Sequence, residues 1–516
     1  MTKTDTPAEQ RRTPDGAHES VFEPEDTCWR VARAHRMALI VDAQDYFRVL
    51  REVFIAADRE LLLIGWDFGF QIEMLPGQSD ADGNAPDGYP NALGPFIDAV
   101  VSEKPDLHAY LLKWNGAVLA APGAIVPSLA LDIFGCDRIH FALDGHHPFG
   151  ACHHQKIVVA DGNFAFCGGI DVTEERWDTS KHETDNPLRA RQDGSIPGPW
   201  HDVTSAMTGP AASALAELSR MRWHRATGEE LTPPDEMQEI AWPSGLAVGA
   251  TDIDVAIART EPPYDGSPLV NEIERLYLRS IEAATTSIYI ESQYFAAEKI
   301  CDALDKRLKE DGGPEIVVIN PREARSQLED DAMHVLRGRM IAQLTASDHE
   351  DRFRIFYPAN ASGDQIYVHA KVLIADDTVL RLGSSNINNR SMGFDTECDV
   401  AIEDRPDFIA DIRRRLLSEH LDVSEEVFDE TFRDSKSLIG TIEALNSAEG
   451  RGLRQIVPDK ETWSGRFLAD TRLLDTRYLP GRTTSAGEGL RPRHLVLGAG
   501  LVALGYLGWK ALTARR

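Results

Sequence analysis

A chain of 516 residues is too long for one ordinary domain and predicts two or three. A hydrophobic fraction of 42% with 27% charged residues is typical of globular domains with buried cores. The net charge of −29 argues against a surface broadly complementary to nucleic acid or anionic lipid, and the six cysteines include no CxxC pair, so they predict neither a disulfide framework nor a zinc site.

The two ends of the chain differ in composition. Residues 1–37 are polar, lack the apolar core of a signal peptide and are predicted to be disordered, which favours a cytoplasmic protein. Residues 495–509 (LVLGAGLVALGYLGW) are uniformly apolar, but a membrane-spanning helix needs about 20 such residues. A buried helix would explain this run, and its place at the end of the chain favours a membrane anchor instead. The sequence leaves open whether 495–514 spans a bilayer, lies on it or packs against the protein.

Residues 38–230 alternate helix-like and strand-like patterns, which indicates an α/β domain. The segment LREVFIAADRELLLIGWDF (50–68) predicts a helix and then an apolar strand. Further along, KIVVAD and FAFCGG are apolar strands separated by the turn signal DGN, and together they predict a β-hairpin. The polar, proline-rich stretch LTPPDEMQEIAWPSG predicts a linker over 231–247.

Residues 248–430 repeat this organisation. LYLRSIEAATTSIYIESQYF (276–295) resembles 50–68, and VHAKVLIADD repeats HHQKIVVADG 215 residues further along the chain. Both copies fit the pattern H-x-K-x4-D, with His154, Lys156 and Asp161 in the first and His369, Lys371 and Asp376 in the second. The repeat predicts two α/β domains of one fold, followed by a helical or loop extension (431–490) and an apolar segment (491–516).

The geometry of a β-strand separates the His–Lys pair of each motif from its aspartate. Side chains alternate between the two faces of a strand, so the histidine and the lysine of each motif point to the same face. Asp161 and Asp376 have the opposite parity and lie at the turns, where we expect them to accept hydrogen bonds from turn amides. His153, one residue before the first motif histidine, faces the other side of its strand.

Two related domains packed about a pseudo-twofold axis would bring both His–Lys pairs to one cleft. Two ammonium groups and the amide of Asn386 suit the non-bridging oxygens of a phosphate. Two histidines suit a two-step displacement, in which one becomes a phosphohistidine while the other protonates the leaving alkoxide and then activates the acceptor. This scheme needs neither a metal nor a cofactor, because the lysines already neutralise charge. Ser384 could contact the phosphate or simply fit a tight bend.

A nucleophilic histidine must be neutral, so a carboxylate on its other ring nitrogen should fix which nitrogen is free. Asp178 and Asp185 follow the first motif, and Glu397 follows the second. Spacing alone leaves the pairing of these carboxylates with the two histidines open.

The paired motifs and their flanks resemble the phospholipase D superfamily, and most closely its eukaryotic-type enzymes. The stretches that carry this resemblance are GGIDVTEERWDTSKHETD, PWHDV, IYIESQYF, IYVHAKVLIADDTVLRLGSSNINNRSMGFDTECDVAI and RRRLLSEHLDV. The resemblance covers roughly residues 38–430. It implies two pseudo-twofold-related domains, each a mixed β-sheet flanked by helices, with the active site at their interface.

The resemblance also implies roles for residues of the two motifs. His154 and His369 would be nucleophile and general acid–base, with His154 the favoured nucleophile. Lys156, Lys371 and Asn386 would hold the phosphate.

Residues outside the two motifs gain implied roles as well. Glu397 would orient the second motif histidine, and Asp185, one residue off the expected spacing, the first. His201 in PWHDV would support the cleft structurally.

The implied function is hydrolysis of the distal phosphodiester bond of a glycerophospholipid to phosphatidic acid and a head-group alcohol, with transfer to another alcohol as a side activity. The expected partners are a phospholipid at a membrane surface and water or an alcohol, without nucleic acid, and the expected state is a cytoplasmic, membrane-associated monomer. No C2, PX or PH module is recognisable, so dependence on calcium or phosphoinositides is not expected.

Three alternatives remain. A cardiolipin-synthase-like phosphatidyltransferase would use the same phosphohistidine with a lipid alcohol as acceptor, but RWDT, PWHD and the single C-terminal apolar segment count against it. A nuclease fits poorly with a net charge of −29. A catalytically inert membrane scaffold fits poorly with two intact His–Lys pairs.

Overall fold

A computed structural model of the chain describes residues 20–116, 135–191, 193–234, 239–323 and 327–458, with residues 466, 469–470 and 475–477. Residues 1–19 and the apolar segment predicted to be an anchor (495–509) lie outside the described residues. The prediction of disorder is wrong for residues 20–37, because Val21 and Cys28 are buried and a strand begins at Arg30. None of the described helices is long and apolar enough to cross a bilayer.

The described part of the chain contains 18 strands and nine α-helices. Those of the first half are β1 (Arg30–Val41), α1 (Ala43–Ala56), β2 (Glu60–Gly65), α2 (Leu93–Glu103), β3 (His108–Trp114), β4 (Ile139–Asp144), β5 (Ile157–Ala160), β6 (Phe164–Gly168), β7 (Trp200–His201), β8 (Val203–Thr208) and α3 (Pro210–Thr227). Those of the second half are β9 (Ala250–Glu261), β10 (Val270–Asn271), α4 (Glu272–Ala283), β11 (Ser287–Glu291), α5 (Glu298–Leu308), β12 (Glu315–Ile319), α6 (Gln327–Ser347), β13 (Phe353–Ala359), β14 (Tyr367–Val368), β15 (Val372–Ala375), β16 (Val379–Gly383), β17 (Glu397–Glu403), α7 (Pro406–Leu421), α8 (Glu425–Ser435), α9 (Leu438–Leu445) and β18 (Gly452–Gln455).

One mixed sheet runs through the molecule, and its two halves have the same strand order in opposite directions. The first half reads β4-β3-β2-β5-β6-β8-β1, and the second continues β9-β17-β16-β15-β11-β12-β13. In each half three parallel strands adjoin the antiparallel motif hairpin. β1 and β9 pair antiparallel at the centre, from Arg30↔Ile257 to Met37↔Ala250. The predicted pair of mixed-sheet α/β domains is confirmed, and β1 and β9 join the two sheets into one.

Helices cover both faces of this sheet. One face carries a single hydrophobic core that continues across both halves beneath α3 and α7. The opposite face carries a separate core in each half, beneath α1 and α2 in the first and beneath α4 and α5 in the second. Burial on both faces explains why the central strands β2, β5 and β15 are nearly continuous apolar runs.

The predicted C-terminal extension contributes to the sheet as well as to the helical layer. α9 follows α8, and β18 then pairs antiparallel with β13 at the edge of the second half. The extension therefore packs onto the second domain and closes its sheet edge.

The two motif aspartates tie each hairpin to the neighbouring strand. The buried carboxylate of Asp161 accepts three hydrogen bonds, at 2.8–2.9 Å, from the consecutive backbone amides of residues 58–60, just before β2. Asp376 accepts from the amides of residues 285–287, just before β11. Both aspartates have a positive φ, 49° and 55°, a conformation that aspartate tolerates better than most residues. The accepted amides belong to the turn before the neighbouring strand and not to the hairpin's own turn.

Replacing Asp161 by alanine should lower the free energy of unfolding by about 3 kcal/mol, because three amides lose a charged acceptor. Urea unfolding followed by circular dichroism measures this change. Asp265→Ala is the matched control, since Asp265 also has a positive φ (47°) but is exposed in a turn. Its expected effect is below about 0.5 kcal/mol. Equal effects of the two substitutions would contradict the structural role of Asp161.

Candidate active site

The backbone of each motif histidine is held by the opposite half of the molecule. β14, just before His369, pairs in parallel with β7 of the first half, and His369 N donates to the carbonyl oxygen of His201 at 2.8 Å. In the equivalent place, His154 N donates to the carbonyl oxygen of Thr396 at 2.8 Å. In each case the acceptor is the residue directly before a carboxylate residue of the other half.

Those two carboxylates contact the imidazole rings. Nδ1 of His154 lies 3.0 Å from Oε2 of Glu397, and Nδ1 of His369 lies 2.6 Å from Oδ2 of Asp202. Glu397 begins β17, and Asp202 directly precedes β8, the strand with the same place in the first half. Each half therefore supplies the carboxylate that orients the histidine of the other half.

The structure corrects the carboxylate pairing expected from the sequence. Glu397 was expected to orient His369 but contacts His154, because β17 begins beside the first motif. Asp185 was expected beside His154, but it is exposed in a turn with a φ of 50°. Its side chain is therefore in water and cannot orient a buried imidazole.

The remaining sequence candidate also has a different partner. Oδ2 of Asp178 lies 3.1 Å from Nδ1 of His182, and its other oxygen accepts a hydrogen bond from Arg189 at 2.9 Å. The residue that the prediction lacked is Asp202. It stands within the PWHDV stretch, but spacing inside one half cannot reveal a contact made between halves.

Short, buried contacts fix both carboxylates. Oγ of Ser384 donates to Oε2 of Glu397 at 2.5 Å, and Oγ of Ser391 donates to Oε1 at 2.7 Å. Ser384 is fully buried, and its hydroxyl orients Glu397; its suggested contact with the phosphate stays a prediction. Oδ1 of Asp202 accepts from the next backbone amide at 2.8 Å. A Cβ on Gly169 would lie 2.1 Å from the same oxygen, so only glycine fits there.

The two motif lysines have different second partners. Each donates to the carbonyl oxygen of its own motif histidine. Nζ of Lys156 also lies 3.1 Å from Oδ2 of Asp171, whereas Nζ of Lys371 lies 3.4 Å from Oε1 of Gln293. Asn386 stands where the repeat would place a counterpart of Asp171, and within the described chain its buried Oδ1 has no hydrogen-bond partner. A carboxylate thus faces the first lysine, and a neutral amide occupies the equivalent place in the second half.

Burial lowers the pKa of His154 and of His369 well below the ordinary imidazole value. The charges of Lys156 and Lys371 add to this effect, and each lysine acts on the pKa of both histidines. The four side chains therefore share one electrostatic environment. Both imidazoles are neutral at neutral pH, as nucleophilic attack requires.

Burial shifts three neighbouring groups toward their uncharged forms. It lowers the pKa of Lys371 to about 7, raises that of Asp202 to about 6 and raises that of Glu397 to about 8. Burial therefore disfavours the anionic form of Glu397 more strongly than that of Asp202. The two histidines are related by the repeat but differ in the pKa of their carboxyl partners.

Arg176 is a cation of the site that the sequence analysis missed. Its guanidinium lies 4.5 Å above the ring of Trp200, and that ring lies 4.9 Å from the ring of His369. The charge of Arg176 contributes to the low pKa of His369 and of Lys371. Its Nε is buried and has no hydrogen-bond partner in the part of the chain that the structure describes. The RWDT stretch contains this residue, but nothing in its spacing from the motifs indicates that it reaches the cleft.

Comparison with known proteins finds phospholipase D and cardiolipin synthase relatives. A family model described as "Cardiolipin synthase, PLD-like domain" matches residues 277–419. Phospholipase D1 of Saccharomyces cerevisiae is 26% identical over 432 residues, which cover 63% of this chain and 25% of the relative. Phospholipase D A of Dictyostelium discoideum is 24% identical over 483 residues, covering 79% and 36%. Cardiolipin synthase A of Pseudomonas entomophila is 27% identical over 291 residues, covering 55% and 51%.

The chain thus spans between a quarter and about half of the length of these curated relatives. Among solved structures, phosphatidylserine synthase of Haemophilus influenzae Rd KW20 aligns with a TM-score of 0.48 and 11% identity, covering 75% of this chain and 87% of that chain. The family model includes the second H-x-K-x4-D motif. Together with the curated relatives, it supports the phospholipase D superfamily as the family that this chain resembles.

Proposed function

We propose that this protein is a phospholipase D. It hydrolyses the distal phosphodiester bond of a glycerophospholipid to phosphatidic acid and a head-group alcohol, and it transfers the phosphatidyl group when an alcohol replaces water. The observation that carries this proposal is the pair of buried, neutral histidines, each oriented through Nδ1 by a carboxyl group of the other half. Because one chain holds both halves, the proposed enzyme acts as a monomer at a membrane surface.

The two carboxyl groups differ in pKa, and this difference supports different roles for the two histidines. The anionic form of Asp202 is the less disfavoured of the two and can stabilise an imidazolium on His369, so His369 is the proposed general acid–base. Burial disfavours the anionic form of Glu397 more strongly, so Glu397 stabilises positive charge on His154 less, and His154 is the proposed nucleophile.

In the first step, Nε2 of His154 attacks phosphorus and the bond from phosphorus to the head-group oxygen breaks. His369 donates its proton to that oxygen, and the head-group alcohol leaves. In the second step, His369 accepts a proton from water as the water oxygen attacks phosphorus. The phosphorus–nitrogen bond then breaks, releasing phosphatidic acid and restoring both histidines.

The cations of the cleft hold the phosphate through both steps. The ammonium groups of Lys156 and Lys371 neutralise the non-bridging oxygens, and Asn386 supplies an amide. Arg176, beside Trp200 and His369, adds a third positive charge on the side of the general acid. The bound phosphodiester anion offsets the lysine charges that depress the pKa of His369, which favours its protonation before the leaving group departs.

A cardiolipin-synthase-like phosphatidyltransferase is the second candidate. It is favoured by the family model over 277–419 and by the 27% identity to cardiolipin synthase A. The phosphohistidine step would be the same, and only the acceptor would differ, a lipid alcohol in place of water. The two functions are separated by their products.

The purified protein should release phosphatidic acid from phosphatidylcholine, phosphatidylethanolamine or phosphatidylglycerol vesicles, and phosphatidylethanol when ethanol is added. Thin-layer chromatography of labelled lipid measures both products. His154→Ala and His369→Ala should each lower turnover by about 10³-fold. His224→Ala, which alters an exposed histidine in the last turn of α3, should leave it unchanged. Cardiolipin formed from phosphatidylglycerol would favour the synthase, and no product from any lipid would exclude both.

The order of the two histidines can be tested by trapping the covalent intermediate. In His369→Ala, a phosphatidyl group should accumulate on His154, because no base remains to activate water. A substrate with a p-nitrophenol head group avoids the need for a general acid in the first step. Quenching at alkaline pH and mass spectrometry of the peptide that contains residue 154 detect the adduct. An adduct on residue 369 of His154→Ala, with none on His154, would reverse the assignment.

The dependence of kcat/KM on pH should be bell-shaped, with its maximum between about pH 6 and 7. Activity should fall below pH 6, because Asp202, with a raised pKa of about 6, becomes protonated and no longer stabilises charge on His369. Activity should fall above pH 7, because Lys371, with a lowered pKa of about 7, loses its proton. The neutral amine then no longer stabilises the negative charge of the phosphate. Lys371→Arg keeps its charge, so its alkaline limb should move to higher pH. An unchanged alkaline limb in this variant would assign that limb to another group.

A further inference from the structure

A second group of polar side chains lies behind the catalytic centre and is not used by the proposed chemistry. We call Asp42, His182, His201 and Glu419 the His–carboxylate cluster. Each directs one nitrogen or oxygen atom toward a common point, and these atoms lie within 4.8 Å of one another. His182 and His201 are fully buried, Asp42 is 2% exposed and the side chain of Glu419 is 14% exposed.

The distances within the His–carboxylate cluster match those between the ligands of one metal ion. Nε2 of His182 lies 3.0 Å from Oε1 of Glu419 and 3.5 Å from Oδ2 of Asp42. Nδ1 of His201 lies 3.3 Å from Oε1 of Glu419 and 3.4 Å from Oδ1 of Asp42. In a tetrahedral site with bonds of about 2.0–2.1 Å to nitrogen and oxygen, neighbouring ligand atoms stand about 3.3 Å apart.

The outer nitrogens of both histidines are already occupied by carboxylates. Nδ1 of His182 lies 3.1 Å from Oδ2 of Asp178, and Nε2 of His201 lies 3.0 Å from Oε2 of Glu291. In a neutral ring, a hydrogen bond from one nitrogen to a carboxylate leaves the other nitrogen unprotonated, with its lone pair facing inward. This arrangement of carboxylate, imidazole and metal is the usual second shell of histidine metal ligands.

Two of the inward-facing atoms contact the cluster at 3.3–3.5 Å without forming a hydrogen bond. Oδ2 of Asp42 and Nδ1 of His201 are buried, and among the described residues neither has a hydrogen-bond partner. Leaving a buried polar atom unpaired costs about 1–3 kcal/mol. A shared cation would satisfy both atoms at once.

The negative charge around the cluster also favours binding of a cation. Four carboxylates contribute to the cluster or its second shell, those of Asp42, Asp178, Glu291 and Glu419. Two guanidiniums offset part of this charge, Arg189 at 2.9 Å from Asp178 and Arg451 at 3.9 Å from Glu419. We propose that the His–carboxylate cluster is a structural site for one divalent metal ion, and that its two imidazole and two carboxylate ligands in a closed four-ligand set select zinc.

A metal ion at this site would help to position the carboxylate of Asp202. Asp42 Oδ1 accepts a hydrogen bond from Asp202 N at 3.3 Å, and Asp42 N donates to the carbonyl oxygen of Asp202 at 2.8 Å. His201 is the residue directly before Asp202, and Glu419 comes from α7 of the second half. A metal held by these residues would join the two halves and fix Asp202 beside His369.

A network balanced by protons alone is the alternative. Although burial opposes it, Asp42 and the carboxylates of Asp178 and Glu419 raise the pKa of His182 to about 9. A protonated His182 would supply positive charge without a metal. The metal content of the protein distinguishes the two arrangements.

The test is elemental analysis of the full-length protein, produced in zinc-supplemented medium and dialysed extensively without chelator. We expect about one zinc ion per chain, and its removal should lower the melting temperature, with recovery on adding zinc. After removal, Co²⁺ should bind and show the strong visible absorption of a tetrahedral site. This signature depends on geometry and is independent of any enzyme assay, so it reads out the site even if the proposed activity fails.

Matched histidine variants locate the metal. His182→Gln should lose the zinc and the Co²⁺ spectrum. His140→Gln should keep both, although His140 lies 3.4 Å from His108, a second pair of ring nitrogens that could bind zinc adventitiously. Zinc lost from His140→Gln but kept by His182→Gln would overturn the proposal. So would wild-type protein that holds no zinc and takes up none. If His182→Gln does not fold, X-ray absorption of the wild-type protein decides, because two imidazoles and two oxygens around zinc are required.

Discussion

The contact on which the rest of the structure depends is the exchange of carboxyl groups between the two halves. Glu397 orients His154 and Asp202 orients His369, so neither half holds a complete pair by itself. These contacts of 2.6–3.0 Å tolerate little relative movement of the domains. The antiparallel pairing of β1 with β9 and the core shared beneath α3 and α7 provide the required rigidity.

Burial is the second part of this arrangement, because it sets the protonation states that the chemistry needs. The motif side chains sit where the sheet is covered on both faces, and desolvation is the largest cause of each pKa shift in the cleft. Near the surface, the same residues would be screened by water and would titrate closer to their ordinary values. The interface between the halves is thus both the scaffold and the dielectric environment of the site.

Local patterns predicted much of the fold and half of the site. Alternation along the strand placed each motif histidine and lysine on one face, and the turn position of Asp161 and Asp376 indicated bonding to backbone amides. The repeat predicted two domains of one kind. These inferences succeed because they depend on short-range geometry, which spacing encodes directly.

Such local patterns could not predict the contacts between the two halves. Spacing left the pairing of the carboxylates open, and the resemblance assigned Glu397 to His369 and Asp185 to His154. The observed exchange depends on how β8 and β17 pack across the interface. The hydrogen bond from Ser384 to Glu397 could not be predicted either, because it depends on how the two residues pack. The residues of the His–carboxylate cluster come from four separate segments of the chain, so no short sequence motif predicts the cluster.

The repeat places Asn386 where the first half has Asp171, and this difference adds to the asymmetry of the cleft. Two identical halves would accept a phosphodiester in two opposite orientations, and only one of them would present the leaving oxygen to the proton donor. A carboxylate beside Lys156, with a neutral amide at the equivalent position of the repeat, would make these orientations unequal in energy. For the proposed phosphodiester substrate, one charged side chain would thereby set a preferred direction of binding in a duplicated scaffold.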